Sequence, residues 1–303
     1  MAAGKEIKTK IRSIQSTRKI TSAMELVAAS KMKKAQERMR TTRPYNTNMH
    51  SLIRQIEASS SEYSHSFMEA REIKNVGLII VSSDRGLCGG LNYGLFKKVL
   101  ESVKENEGKK ISTKLAVLGS KGNVFFKAIG SDVVASKINL SDKVEVNEIG
   151  GVLQVMTDLY KNGEIDSLHI VYNKFVNTMV QKPTLQQLIP LPTYSATDDA
   201  EAENNSYAIS DNIGERKYSW DYLYEPDAKD LLDKLLQRYI ESSLYQTLVE
   251  NLSCEQAARM LAMKNASDNA ADIIEELQLV YNKARQAVIT QEISEIVAGS
   301  EVI

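Results

Sequence analysis

The densest set of chemistry-bearing residues lies in Ser82–Gly94, SSDRGLCGGLNYG, directly after an apolar run and before a helical pattern. A glycine-rich turn at that place in an α/β unit could hold a phosphate on backbone N–H groups at a helix N-terminus. Its glycine spacing matches neither G-x-G-x-x-G nor G-x-x-x-x-G-K-[ST], and GSKG at Gly119–Gly122 fails in the same way. A tight strand-to-helix turn accounts for both. Cys88 inside the first turn could be a nucleophile activated by the helix N-terminus. The three histidines, His50, His65 and His169, assemble no base and orienter around that thiol, so a small buried cysteine is expected. No carboxylate pair or His/Cys cluster has metal-ligand spacing, and the chain is expected to carry no catalytic residue, metal or cofactor.

A basic strip is the second candidate. Between Lys5 and Arg43 stand twelve Lys/Arg against three Glu, although the whole chain of 303 residues has a formal net charge of -1. Lys31, Lys33, Lys34, Arg38 and Arg40 are dense enough to neutralise phosphates, which leaves a coiled-coil nucleic-acid-binding or scaffold protein as an alternative. They are not interleaved with aromatic residues, and there is no Walker motif for a coiled-coil ATPase that manages DNA. A solvated face, or one opposing acidic protein, fits them better.

These residues must be placed by two long helices with a different kind of domain between them. Neither proline nor glycine occurs from Lys5 to Arg43 or from Asp227 to Ala298, and both residues weaken helix interiors. Ile7, Ile11, Ile14, Met24, Ala28, Met32, Ala35 and Met39 step by threes and fours, with Thr17 and Thr21 in the gap; Ile273, Leu277, Val280, Ala284 and Ala287 continue the rhythm. Pro226 suits a first helical turn and Gly299 a helix end. Between the helices, VGLIIV (Val76–Val81) and LAVL (Leu115–Leu118) read as buried strands, Val133–Val134 and Ser167–Phe175 as further strands, and Leu91–Val103 and Asn147–Tyr160 as helices. The fold class is thus α/β plus a long antiparallel coiled coil: the N- and C-terminal helices pair, and a Rossmann-like α/β domain with a mostly parallel sheet is inserted between them. The boundaries are 1–60, 70–220 and 226–303, with 195–217 an acidic loop.

Helix length has a functional corollary. The second helix exceeds the first, so its last turns project, yet Ile289, Ile293, Ile296, Val297, Val302 and Ile303 stay apolar there. A lone helix bearing such residues requires an enclosing sleeve. No run approaches the roughly 20 apolar residues of a membrane span. Two cysteines, Cys88 and Cys254, build no disulfide framework, so a reducing cytoplasm is expected, with no signal or transit peptide and membrane attachment only through partners.

At this point the residues resemble the ATP synthase γ subunit family. NLSCEQAARMLAMKNASDN (Asn251–Asn269) and ELQLVYNKARQAVITQEISEI (Glu276–Ile296) are similar to its C-terminal helix. ITSAMELVAASKM (Ile20–Met32), SDRGLCGGLN (Ser83–Asn92) and WDYLYEP (Trp220–Pro226) match other signature regions, in order along nearly the whole chain. The resemblance implies a non-catalytic rotor. Its coiled coil stands inside a hexamer of alternating α and β subunits, and its α/β domain forms a foot on a ring of c subunits beside ε. It implies no cofactor and no nucleic acid. Carried over residue by residue, Met24, Lys31, Lys33, Lys34 and Arg38 on one helix and Arg285, Gln286, Thr290 and Glu292 on the other face α and β, while Tyr222, Tyr224 and Glu225 lie near the c ring. The expected location is peripheral, at the cytoplasmic face of a bacterial inner membrane. Gly299-Ser300 departs from the family's usual Gly-Ala, and the closely spaced regulatory cysteine pair of chloroplast members is absent, so no thiol control is expected.

Overall fold

The computed structural model describes residues 2–59, 65–68, 71–141, 143–191 and 228–300. The expected Tyr222, Tyr224 and Glu225 contacts, the acidic loop and Pro226 lie outside them. Helix α1 spans Ala2–Ser59 and helix α5 spans Ala228–Ser300, 58 and 73 residues. Between them the order is β1 (Asn75–Val81), α2 (Leu91–Gly108), β2 (Ser112–Leu118), α3 (Ser120–Ile129), β3 (Val133–Lys137), α4 (Val146–Lys161), β4 (Ser167–Phe175) and β5 (Gln181–Ile189). Helix α1 continues through Pro44, whose ring and missing N–H interrupt the ladder locally.

The five strands lie in the order β3-β2-β1-β4-β5. β1 pairs parallel with β2 and β4, β2 pairs parallel with β3, and β5 closes one edge antiparallel to β4. Because side chains alternate across a strand, β1 feeds two cores. Val76, Leu78 and Ile80 pack with Leu95, Phe96, Val99 and Phe126 under α2 and α3. Ile79 and Val81 face the opposite side, where α4 supplies Ile149, Leu153 and Met156, and α1 and α5 supply Met49, Ile53, Leu236, Ile240, Leu244 and Leu248. The sheet therefore rests chiefly on α5, along which α1 packs in turn.

The two long helices run in opposite directions. Met49 and Ile53, near the end of α1, share a core with Leu236 and Ile240, near the start of α5. Ile20, Met24 and Ala28 share a cavity wall with Leu252, Gln256 and Arg259. At 1.5 Å per residue, that register leaves roughly the last 15 residues of α5, about 22 Å, beyond the start of α1. Ile289, Ile293 and Ile296 are all exposed on that extension, Ile296 at 72%.

Two local expectations differ from the structure. β5 escapes the pattern because QKPTLQQLI is half polar and contains Pro183, which an edge strand tolerates. α3 follows β2 as the strand-to-helix reading of GSKG implies, with Gly122 in its first turn. On α5, Ile273 and Val280 are 45% and 46% exposed, whereas Ala270 and Ile274 are buried. Adjacent apolar residues let the same three-four rhythm start one position later, and the approach of α1 selects the face.

Candidate functional site at the junction of sheet and helix pair

The glycine-rich turn after β1 is filled by the protein itself. Ser82 Oγ donates to the Leu118 carbonyl and accepts from Gly122 N–H at 2.9 Å. Asp84 places one carboxylate oxygen on Ser120 N–H and Asn139 N–H and the other on Leu140 N–H, all at 2.8–2.9 Å. The positive end of α3, where a phosphate would dock, thus already holds a carboxylate. Gly119 is required by this closeness: its φ is +102°, and a Cβ there would lie 2.3 Å from the Ser82 carbonyl oxygen.

The rest of the turn, Arg85–Gly90, leans on α5. Arg259 donates through Nε and Nη2 to the Gly86 carbonyl at 3.3 and 3.1 Å and through Nη2 to the Arg85 carbonyl at 3.3 Å. The same Nη2 meets Glu255 Oε1 at 2.6 Å, and the two side chains are only 10% and 7% exposed. Carbonyls capped by an arginine form no anion-binding nest, so the first turn is a docking loop. Four residues apart on one helix face, Glu255 and Arg259 are a buried ion pair that ties turn to helix.

Cys88 and Cys254, remote in sequence, meet in one small apolar cluster with Leu91 and Ala258. Both are free thiols. Burial pushes the Cys88 thiol up, with the Ser83 hydroxyl opposing in part. Burial pushes Cys254 up as well, assisted by the negative charge of Glu250. A raised pKa leaves less thiolate at any given pH, the reverse of an activated nucleophile. Iodoacetamide is expected to label both cysteines slowly in the folded chain at mildly alkaline pH and rapidly in urea; fast native labelling of Cys88 would contradict this. Among the described residues no group of His, Cys, Asp and Glu could hold a metal ion, and no helix is long and apolar enough to cross a membrane.

The anticipated contact residues fall into two separate places. Met24 and Lys31 line a cavity of about 570 Å³ together with Ile20, Val27, Leu87 and Arg259. Lys33 and Lys34 are exposed, and Arg38 is half-buried on the same helix. Arg285, Gln286, Thr290 and Glu292 are exposed near the projecting end of α5, roughly 45 Å along the axis from Arg259 at helical rise. The polar residues of the junction, Asp84, Glu250, Asn251, Glu255 and Arg259, were not singled out by the sequence. A signal existed in the Glu255/Arg259 pair, which interrupts the apolar face formed by Cys254 and Ala258.

A two-helix mast fixed to one face of a five-stranded sheet is also the form of solved ATP synthase rotors. A chain of the Euglena gracilis mitochondrial ATP synthase rotor superposes with a TM-score of 0.64 at 18% identity, covering 95% of this chain and 99% of that one. The corresponding figures for a central-stalk and c-ring structure from Tetrahymena thermophila are 0.59, 24%, 82% and 99%. At the sequence level, residues 3–303 match the family model described as ATP synthase. The ATP synthase gamma chain of Pasteurella multocida (strain Pm70) is 53% identical over 303 residues, covering 100% of both chains. The chain belongs to the ATP synthase gamma-chain family. The gamma chain of Legionella pneumophila (strain Corby) agrees, at 51% identity over 302 residues and 99% of each chain. Gamma-chain membership gives the junction its meaning: it lies in a non-catalytic subunit of an ATP-synthesising complex, part of its membrane-bound F1 sector.

Proposed function

We propose that the chain is the central shaft of a proton-translocating F1Fo ATP synthase, with α5 and α1 inside the α3β3 hexamer and the sheet layer standing on the c ring beside ε. Turning of the ring rotates the sheet layer, the layer rotates the helix pair, and the asymmetric pair drives the catalytic β subunits through their conformations; ATP hydrolysis reverses the sequence. The observation that carries this reading is the extension of α5 beyond α1 with Ile289, Ile293 and Ile296 exposed, a surface that water disfavours and a protein bearing would cover. Met24, Lys31, Lys33, Lys34 and Arg38, and Arg285, Gln286, Thr290 and Glu292 on the projecting end, are the proposed α and β contacts. Tyr222, Tyr224 and Glu225 are the proposed c-ring contacts. Operation at the cytoplasmic face of a bacterial inner membrane completes the proposal.

Charge complementarity supplies the test. Reversing Lys33, Lys34 and Arg38 to glutamate in membrane vesicles should leave most ATP hydrolysis intact while ATP-driven proton pumping falls by at least about tenfold, since losing three attractive contacts of roughly 0.5 kcal/mol each already amounts to about 1.5 kcal/mol. Hydrolysis and pumping falling in equal proportion would count against these residues as coupling contacts. Failure of α, β, ε and c to copurify with the wild-type chain in detergent would remove the rotor reading itself.

A further inference from the structure

Strand β4 leaves the sheet in an unusual way. Its parallel pairing with β1 ends at Val171, while its antiparallel pairing with β5 continues to Phe175. Residues 172–175 therefore keep one paired edge and lose the other. In an ordinary sheet the lost edge would turn to water or to another strand. Here side chains of α5 take it over. Asn173 donates its backbone N–H (3.2 Å) and its Nδ2 (2.9 Å) to Asn251 Oδ1. Phe175 N–H donates to Glu250 Oε1 at 2.9 Å, and Cys254 Sγ donates to the Asn173 carbonyl at 3.1 Å. The alternate residues 173 and 175 are thus bonded as a neighbouring strand would bond them, by one turn of a helix. Asn173 and Asn251 are each only 1% exposed, so water cannot replace their bonds cheaply.

We infer that Glu250, Asn251 and Cys254 form a clutch in which α5 acts as the next strand of the sheet, and that rotation of the sheet layer enters the shaft here, through α5. α1 packs chiefly along α5 and adds Met49 and Ile53 to the shared apolar cluster, and such packing, being non-directional, resists sliding less than oriented hydrogen bonds do. Glu250, Asn251 and Cys254 are positioning residues for torque transfer. This inference rests on the rotor reading and adds to it the place where the two moving parts are locked in angle.

The experiment uses the assembled α3β3γ complex with a bead on the sheet layer, attached through an exposed engineered cysteine at Lys109, and reads thermal angular fluctuations while rotation is paused. Asn251→Ala removes two of the four clutch bonds, while the three that Arg259 makes to the Arg85 and Gly86 carbonyls remain, so fluctuation variance should rise about 1.4-fold if the bonds are of similar strength, with hydrolysis by the unloaded complex unchanged. Glu250→Ala should give a smaller rise, and Glu250→Gln, which keeps the acceptor, should match the wild type. Should Asn251→Ala fail to assemble, the Glu250 pair decides alone. Wild-type variance in the alanine variants overturns the clutch, as does an equal rise in Glu250→Gln. A wild-type bead that fluctuates but never turns during ATP hydrolysis instead overturns the rotor reading.

Discussion

Arg259→Ala is expected to lower the unfolding free energy of the full chain by about 3–5 kcal/mol, the range for breaking one partner of a buried ion pair. The reason is what remains behind. Glu255 would be left as a carboxylate with 7% side-chain exposure that has lost its 2.6 Å contact with the guanidinium. The Arg85 and Gly86 carbonyls would lose the donor that ties their turn to α5. Arg259→Lys should recover only part of the loss, because one ammonium cannot reproduce the planar fork that reaches two carbonyls and a carboxylate together. The double variant Arg259→Met with Glu255→Gln should be less destabilised than Arg259→Ala alone, since it no longer buries a carboxylate that has lost its guanidinium. Urea denaturation followed by far-UV circular dichroism checks the series. If the double variant proves worse than the single one, charge burial is not the origin of the effect, and lost packing of the arginine stem takes its place.

The same residues mark how far a linear reading reaches. The long helices were legible because their evidence is local: absent proline and glycine, and a stripe that includes Ile11, Ile14 and Ala28. β1 and β2 were legible because strands covered on both faces are continuously apolar. The face that α5 turns to α1 was not, since Ile273 and Ile274 satisfy the spacing equally and only the partner's approach buries the second. The junction was least accessible. Asn173 and Asn251 are 78 positions apart, and each reads alone as an unremarkable polar residue in an amphipathic segment. Their chemistry exists only once β4 outruns β1 and passes over α5. The glycine-rich turn shows the converse: its composition advertised an anion site, whereas its carbonyls and the neighbouring Asp84 carboxylate make it a docking loop.

Asp84→Ala should therefore cost about 2–4 kcal/mol, because one carboxylate serves three backbone donors and hydrogen bonds to charged groups are worth roughly 1.5–3 kcal/mol each without adding fully. Ser120 N–H opens α3, where no side chain of the preceding residue, Gly119, can cap it. Asn139 and Leu140 begin the connection from β3 to α4, and Leu140 also lines the cavity beside Met24 and Arg259. Losing the carboxylate thus releases three segments at one point: the turn after β1, the start of α3 and the loop that borders the helix pair. Asp84→Asn keeps one carbonyl acceptor and should lose less, about half, in line with a neutral acceptor being weaker than a charged one. Amide hydrogen exchange separates this account from general destabilisation. Protection should fall first at Ser120, Asn139 and Leu140 while the β1 amides stay protected, because local opening around a lost acceptor precedes global unfolding. A uniform loss of protection across β1 and α3 would mean that Asp84 supports the whole sheet, and the local clip would be the wrong description of what the glycine-rich turn is for.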